Sequence, residues 1–298
     1  MDTRPVIECK NITHYYGNRL IYKDLNFEVH KGKILGLLGK NGTGKTTVIN
    51  ILNGYLKPRA GVCSIFGEEM DSLSPATKGR IGLLLEGHIQ HSYFNVMQIE
   101  RYYSRFFSRW NAEAYFRLIE KLQVTKTQKI STMSCGQRSQ VALGLLFAQD
   151  PDLLILDDFS MGLDPGYRRL FVEYLKEFAE RGDKTVFLTS HIIQDMEMLI
   201  DDCIILDYGK ILLHEPTEYI MQNFRRFTFV AKEKTGNTAS LNILRHTART
   251  SGDRWETYSF ASGREVGEAL EAEGYRISAL KEENLTLEDA FIGLTGKY

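Results

Sequence analysis

The sequence predicts an α/β fold: a parallel-sheet core, an inserted helical subdomain and a small C-terminal α+β appendage. Three observations carry this. Short β-type runs recur between helical patterns, and several are continuously apolar, as strands covered on both faces of a parallel sheet are. The block from about 88 to 150 has little strand signal. After about residue 222 the pattern changes to strands and helices of a different kind.

In chain order, the strand-like runs are "VIECKNI" (6–12), "KILGLL" (33–38), "RIGLLLE" (80–86), "LLILDD" (153–158), "TVFLTS" (185–190) and "CIILDYG" (203–209). Helical patterns cover 46–56, 97–109, 137–148, 166–181 and 192–200. The inserted block opens with "FNVMQIERYYSRFFSRW" and closes with "VALGLLFAQ". The predicted division is a core domain over 1–222 and an appendage over 223–298. The appendage holds "FTFVA", "WETYSF", the helix "REVGEALEAEG", the strand "RISALK" and a last helix, "TLEDAFIGLTG".

A chain of 298 residues has room for one large domain and one small one. An apolar fraction of 43% and a charged fraction of 25% suit a globular protein, and a formal net charge of −1 argues against a dominant nucleic-acid surface. No nucleic-acid partner is expected. Cys9, Cys63, Cys135 and Cys203 are scattered without a CxxC pair, which predicts reduced thiols rather than a disulfide frame or a zinc site. The N-terminus lacks the apolar core of a signal peptide, and no apolar run approaches the ~20 residues that span a bilayer. Any link to a membrane is therefore expected through another polypeptide.

"GKNGTGKTT" (39–47) satisfies G-x-x-x-x-G-K-[ST], with a strand leading in and a helix leading out. Gly39, Gly42 and Gly44 let backbone N–H groups wrap around phosphate, and the following helix aims its positive end at them. Lys45 supplies charge for the β- and γ-phosphates and Thr46 a hydroxyl for Mg²⁺, with Asn41, Thr43 and Thr47 completing the binding loop. A nucleotide is the predicted ligand. "LLIL" then delivers Asp157 to the end of a buried strand, where a metal-side carboxylate belongs. "TMSCGQRSQ" opens another helix with Ser134 and Gly136 at its N-terminus, either an anion-binding end or an ordinary serine cap.

Together these motifs resemble the nucleotide-binding subunit of ATP-binding-cassette (ABC) transporters, over roughly residues 4–222. "MSCGQ" (133–137) resembles the LSGGQ signature, with Cys135 in place of its first glycine. "DDFSMGLDP" (157–165) resembles the segment leading to the dimer-contacting loop, "TSH" (189–191) the switch-histidine segment, and "YYG" (15–17) the aromatic that meets adenine. The resemblance implies a P-loop NTPase core of ABC ATPase type that binds ATP and Mg²⁺ and is sandwiched with a second ABC ATPase subunit, as homodimer or heterodimer. Ser134, Gly136 and Gln137 would then serve nucleotide across the dimer, and Asp164 of the dimer-contacting loop would also belong to the nucleotide site. Tyr16 (with Tyr15 as competitor, or as a plain core residue) would stack on adenine, and His191 would polarise the γ-phosphate and the attacking water. A separate transmembrane permease subunit would hold the chain on the inner face of the cell membrane from the cytoplasmic side. The ending "TLEDAFIGLTG" resembles that of exporters with separate membrane chains.

Two departures bear on catalysis. The family's general base is a glutamate, and here Asp158, one methylene shorter, takes its place; a misplacement of ~1 Å costs about a hundredfold in rate. Glu86 stands where the family carries a glutamine beside Mg²⁺ and water, so it is a second candidate base, an extra metal-side carboxylate, or drift. The main expectation is an ATPase driving export, with turnover slowed by these changes. The alternatives are a weakened ATP-holding subunit paired with a competent homologue, and a soluble non-transport ABC ATPase. Of the aromatics after Glu86, Tyr93 and Phe94 are expected to dock the permease, whereas Tyr102, Tyr103, Phe106, Phe107 and Trp110 are expected mainly in the core.

Overall fold

The structure, a computed structural model, describes residues 4–85, 91–121, 124–160, 162–181, 184–231 and 243–296. Residue contacts divide the chain into two units, 1–213 and 214–298.

The first unit opens with a hairpin of β1 (Ile7–Tyr16) and β2 (Arg19–Val29), closed by Gly17 and Asn18. Gly17 takes a φ of 59°, as a two-residue hairpin loop demands. Next come β3 (Ile34–Gly39), α1 (Lys45–Leu52), β4 (Ala60–Ile65), the short β5 (Glu68–Glu69), α2 (Pro75–Lys78) and β6 (Ile81–Leu84). The first strand does not join the parallel sheet, contrary to the sequence reading. It forms an antiparallel sheet in the order β2-β1-β4-β5. Its buried positions (Ile7, Cys9, Ile12, His14) lose strict alternation around Asn11, which has a φ of 53° beside an irregularity in the ladder.

The helical insertion holds α3 (Val96–Tyr103), α4 (Ala112–Lys121) and α5 (Cys135–Ala148). The first of these is capped by Asn95 and Gln98, each side chain bonded to the other's backbone N–H. It stops at Tyr103, shorter than the expected 97–109, and α4 was not among the predicted helices. Tyr115, Leu118 and Ile119 seal α4 inward, and the Tyr115 hydroxyl donates to Val96 O at 3.0 Å. The expected core role of the later aromatics fails for Phe106, which is 64% exposed, and for Tyr102, which is also exposed; Tyr103, Phe107 and Trp110 are only half-buried. Helical spacing predicts a buried face only while the helix continues, and it has ended before Phe106, Phe107 and Trp110; Tyr102, still within α3, lies off the face that buries Val96 and Ile99.

The chain then supplies β7 (Leu153–Leu156), α6 (Pro165–Ala179), β8 (Thr185–Thr189), α7 (Ile193–Glu197), β9 (Asp202–Asp207) and β10 (Lys210–Pro216). The core sheet runs β10-β9-β3-β8-β7-β6, with β3 parallel to β8 and β9, and β7 parallel to β6 and β8. Every residue of β7 and β8 is buried, which accounts for the unbroken apolar runs Leu153–Leu156 and Val186–Leu188. One apolar core joins the two sheets through α1, with Phe27 stacked on Phe187 at 5.8 Å between ring centres.

The second unit contains α8 (Thr217–Asn223), β11 (Arg225–Ala231), β12 (Arg245–Ser251), β13 (Arg254–Ser259), α9 (Gly263–Ala272), β14 (Ile277–Glu283) and α10 (Leu287–Thr295). Its antiparallel sheet runs β12-β13-β11-β14. Phe227, Phe229 and Ala231 pack with Val266 and Leu270 of α9 and with Tyr275.

Candidate functional site

In a parallel sheet all strands end on the same side, so the order β3-β8-β7 sets three loops next to one another. The loop after β3 is the phosphate loop, the residues after β7 are Asp157 and Asp158, and β8 leads to His191. A cavity of about 540 Å³ opens there. It is lined by Tyr16, Arg19, Ile21, Asn41, Gly42, Gly44, Lys45, Thr46, Thr47, Asp157, Asp158, Thr189 and His191.

The phosphate loop is organised by its own bonds. Gly42 and Gly44 adopt φ values of 78° and 106°, conformations that other residues take only with strain. Thr43 is buried and donates from Oγ1 to Lys40 O at 2.7 Å, so it shapes the loop rather than lining the cavity. Gly39 likewise lies outside the lining; a Cβ there would meet Thr43 Oγ1 at 2.6 Å. The Tyr22 hydroxyl, buried under the loop, donates to Gly44 O. Lys45 Nζ donates to Gly39 O at 2.6 Å and Lys40 O at 3.2 Å, holding its charge inside the loop. Burial lowers the Lys45 pKa, against the opposing pull of Asp158 and Asp157.

Asp157 is buried at the end of β7. Thr189 Oγ1 donates to its Oδ1 at 2.8 Å, and Thr46 Oγ1 approaches the same oxygen at 3.5 Å. Burial raises the Asp157 pKa; the bonds from Thr189 and Thr46 oppose this, Asp158 adds to it, and Lys45 counters it. Thr189 also accepts from the backbone N–H of Asp158 at 3.0 Å, so one hydroxyl ties the two aspartates together. Asp158 takes a φ of 45°, in the left-handed region. Its Oδ1 and Oδ2 lie 2.7 and 2.9 Å from His191 Nδ1.

A hydroxyl beside a buried carboxylate is a hard oxygen set, which suits Mg²⁺. Thr46 and Asp157 would hold it, leaving other positions to phosphate oxygens and water. The charge-disfavouring burial of Asp157 is what a cation there would relieve. Glu86, the other metal-side and catalytic candidate, lies outside the described residues.

Tyr16, not Tyr15, lines the cavity; its hydroxyl is 3.4 Å from Thr47 Oγ1 and the His14 ring meets it edge-on at 5.1 Å. The signature residues are not in the cavity lining. Ser134 caps α5, its Oγ accepting from Gln137 N at 3.2 Å while Gln137 Oε1 accepts from Ser134 N at 3.1 Å. Gly136 faces α6, where a Cβ would meet Tyr167 Cδ2 at 2.4 Å. Asp164 caps α6, accepting from the N–H groups of Gly166 and Tyr167 at 2.9 and 3.1 Å. Sequence reasoning missed Arg19, Ile21 and Thr189 as lining residues. The first two sit on β2, which was not foreseen, and "TSH" drew notice for its histidine alone.

The sequence profile of the family described as ABC transporter matches residues 22–160. The Nod factor export ATP-binding protein I of Cupriavidus metallidurans is 31% identical over 221 residues, covering 72% of this chain and 73% of that protein. Its namesake from Burkholderia orbicola is 32% identical over 210 residues, 68% of either chain. The uncharacterized ABC transporter ATP-binding protein YhcH of Bacillus subtilis aligns at 28% identity over 99% of this chain and 97% of its own. A solved ATP-binding subunit of an ABC transporter superposes with a TM-score of 0.65 at 24% identity, covering 73% of this chain and 92% of that one, a likeness of fold.

Proposed function

This chain belongs to the ABC transporter family as an ATP-binding subunit, and from that premise we propose that it hydrolyses ATP to drive export through a separate membrane permease. The observation that carries the reading is the meeting of Lys45, Thr46, Asp157, Asp158 and His191 around one cavity. Tyr16 offers a face to the adenine, and the loop backbone with Lys45 binds the phosphates. Asp158, oriented by Thr189 and His191, accepts the proton of the attacking water. His191 bridges that carboxylate and the γ-phosphate. Mg²⁺ bound by Thr46 and Asp157 would neutralise phosphate charge.

Ser134, Gly136, Gln137 and Asp164 lie outside the cavity lining, which fits their serving the nucleotide of a second subunit. Export is supported by the export function named for the Cupriavidus and Burkholderia relatives. Among the described residues no helix is long and apolar enough to cross a membrane. The separate permease, and work from the cytoplasmic face, are part of the proposal and rest on the family. Tyr93, which is 67% exposed, packs on Phe94 at 4.5 Å, and the Tyr102 ring meets Phe94 at a tilt and Phe106 edge-on, at 5.3 and 5.1 Å between ring centres. An exposed aromatic group of this size suits a docking site for the permease.

The test is nucleotide-linked dimerisation. With Mg²⁺ and ATP, light scattering coupled to size exclusion should show a dimer for wild type and a monomer for Lys45→Ala, with ATP affinity lost in the variant. Unchanged ATP binding by Lys45→Ala would overturn the phosphate-loop reading, and a wild type that binds ATP as a monomer would overturn the paired arrangement.

A further inference from the structure

Arg19 stands at the start of β2 as the cross-strand partner of Tyr16, so the hairpin presents an aromatic ring and a guanidinium together at the mouth of the cavity. The side chain is directed toward the phosphate loop: a Cβ built on Gly42 would lie 3.7 Å from Arg19 Nη2. Among the described residues it makes no hydrogen bond or ion pair. The other charged groups lining the cavity are engaged. Lys45 donates to loop carbonyls, Asp157 accepts from Thr189, and Asp158 faces His191. Arg19 is thus an uncommitted cation held over the turn built to wrap phosphate.

We propose that Arg19 is a nucleotide-specificity residue, contacting the phosphate chain of the bound nucleoside triphosphate from the hairpin side. This rests on the nucleotide reading above and deepens it. A guanidinium presents a planar fork of N–H donors that matches phosphate oxygens and stays charged at any working pH. Its proximity to Gly42 assigns it to the phosphates rather than the base. The contact favours the more highly charged ligand, so Arg19 raises selectivity for ATP over AMP. Because the side chain is exposed, replacing it leaves folding intact.

The experiment is competitive titration of Mg²⁺–ATP and of AMP against the full chain and its Arg19→Ala, Arg19→Lys and Lys45→Ala variants, at low and high salt. Arg19→Ala should weaken ATP about tenfold, the scale of one charge-assisted contact, and change AMP less than about twofold. Arg19→Lys should recover part of the loss, and the gap between wild type and Arg19→Ala should narrow at ~1 M salt. Equal weakening of ATP and AMP would place Arg19 on the base, ribose or α-phosphate that the two share, and would overturn its role in selecting the triphosphate. If Arg19→Ala binds ATP as wild type does while Lys45→Ala does not, the nucleotide reading stands and the Arg19 inference falls. A wild type without ATP affinity would sink both.

Discussion

Replacing Asp158 with asparagine preserves the side-chain volume but removes the charge and the ability to take a proton. In the structure both carboxylate oxygens lie within 2.9 Å of His191 Nδ1, and the backbone N–H is held by Thr189, so the amide would occupy the same place. Loss of a positioned general base costs ~10²–10⁴ in rate. That corresponds to about 3–5 kcal/mol of barrier. The cost to stability is much smaller, because the pair is partly in solvent, with side chains 21% and 47% exposed; screening limits it to about 1 kcal/mol or less. The two effects are therefore separable. Phosphate release at saturating Mg²⁺–ATP should fall at least a hundredfold while Tm drops by no more than ~4 °C and ATP affinity holds. Asp158→Asn turning over within threefold of wild type would refute the role of Asp158 as base. A silent wild type revived by Asp158→Glu would instead refute self-sufficient hydrolysis and make the chain an ATP-holding subunit.

Gly136→Ala should destabilise the chain by about 1–3 kcal/mol in a denaturant titration, because the added methyl meets the Tyr167 ring at 2.4 Å; an unchanged midpoint would mean that α5 and α6 yield freely. Cys135 is exposed while Cys9, Cys63 and Cys203 are buried, so a thiol reagent should label one cysteine in the native protein, and Mg²⁺–ATP should slow that labelling if α5 covers nucleotide in a dimer. Labelling of a second native thiol, or no protection by ATP, would count against the burial pattern or the dimer respectively. Glu68 accepts from Ser74 N and Thr77 Oγ1, each at 2.7 Å, and these bonds hold its carboxyl below the ordinary range. Its stabilisation is thus present above the ordinary carboxylate pKa and lost as pH falls through the folded value. Glu68→Gln should flatten part of the acid-side loss of Tm, and a profile parallel to wild type would contradict this.

What the sequence made legible was local. The phosphate loop, its flanking strand and helix, and the aspartates ending β7 are each contiguous, and each carries its chemistry within a few residues. Thr189 and Arg19 are different, because they matter only once sheet order brings β8 beside β7 and the hairpin beside the loop. Strand β2 escaped notice because "IYKDLNF" does not alternate strictly: Ile21 and Tyr22 are both buried, Lys23 and Asp24 both exposed, and Asp24 sits at a φ of 54°. The aromatic segment misled for the opposite reason. Its spacing mimics a helix face, but the helix ends at Tyr103, and Phe106 turns to solvent.

Local backbone geometry also accounts for an aspartate at 158. At a φ of 45°, its backbone lies in the left-handed region, which aspartate adopts more readily than most residues. Glutamate, with a longer side chain, has no such local advantage. The conformation also fits the reach of the group: from this backbone the shorter carboxylate already lies within hydrogen-bond distance of His191. An extra methylene would drive the carboxylate past that position unless the backbone relaxed. The shorter residue and the left-handed turn therefore compensate for each other in bringing a carboxylate to His191, and the missing methylene is not by itself a sign of a disabled site.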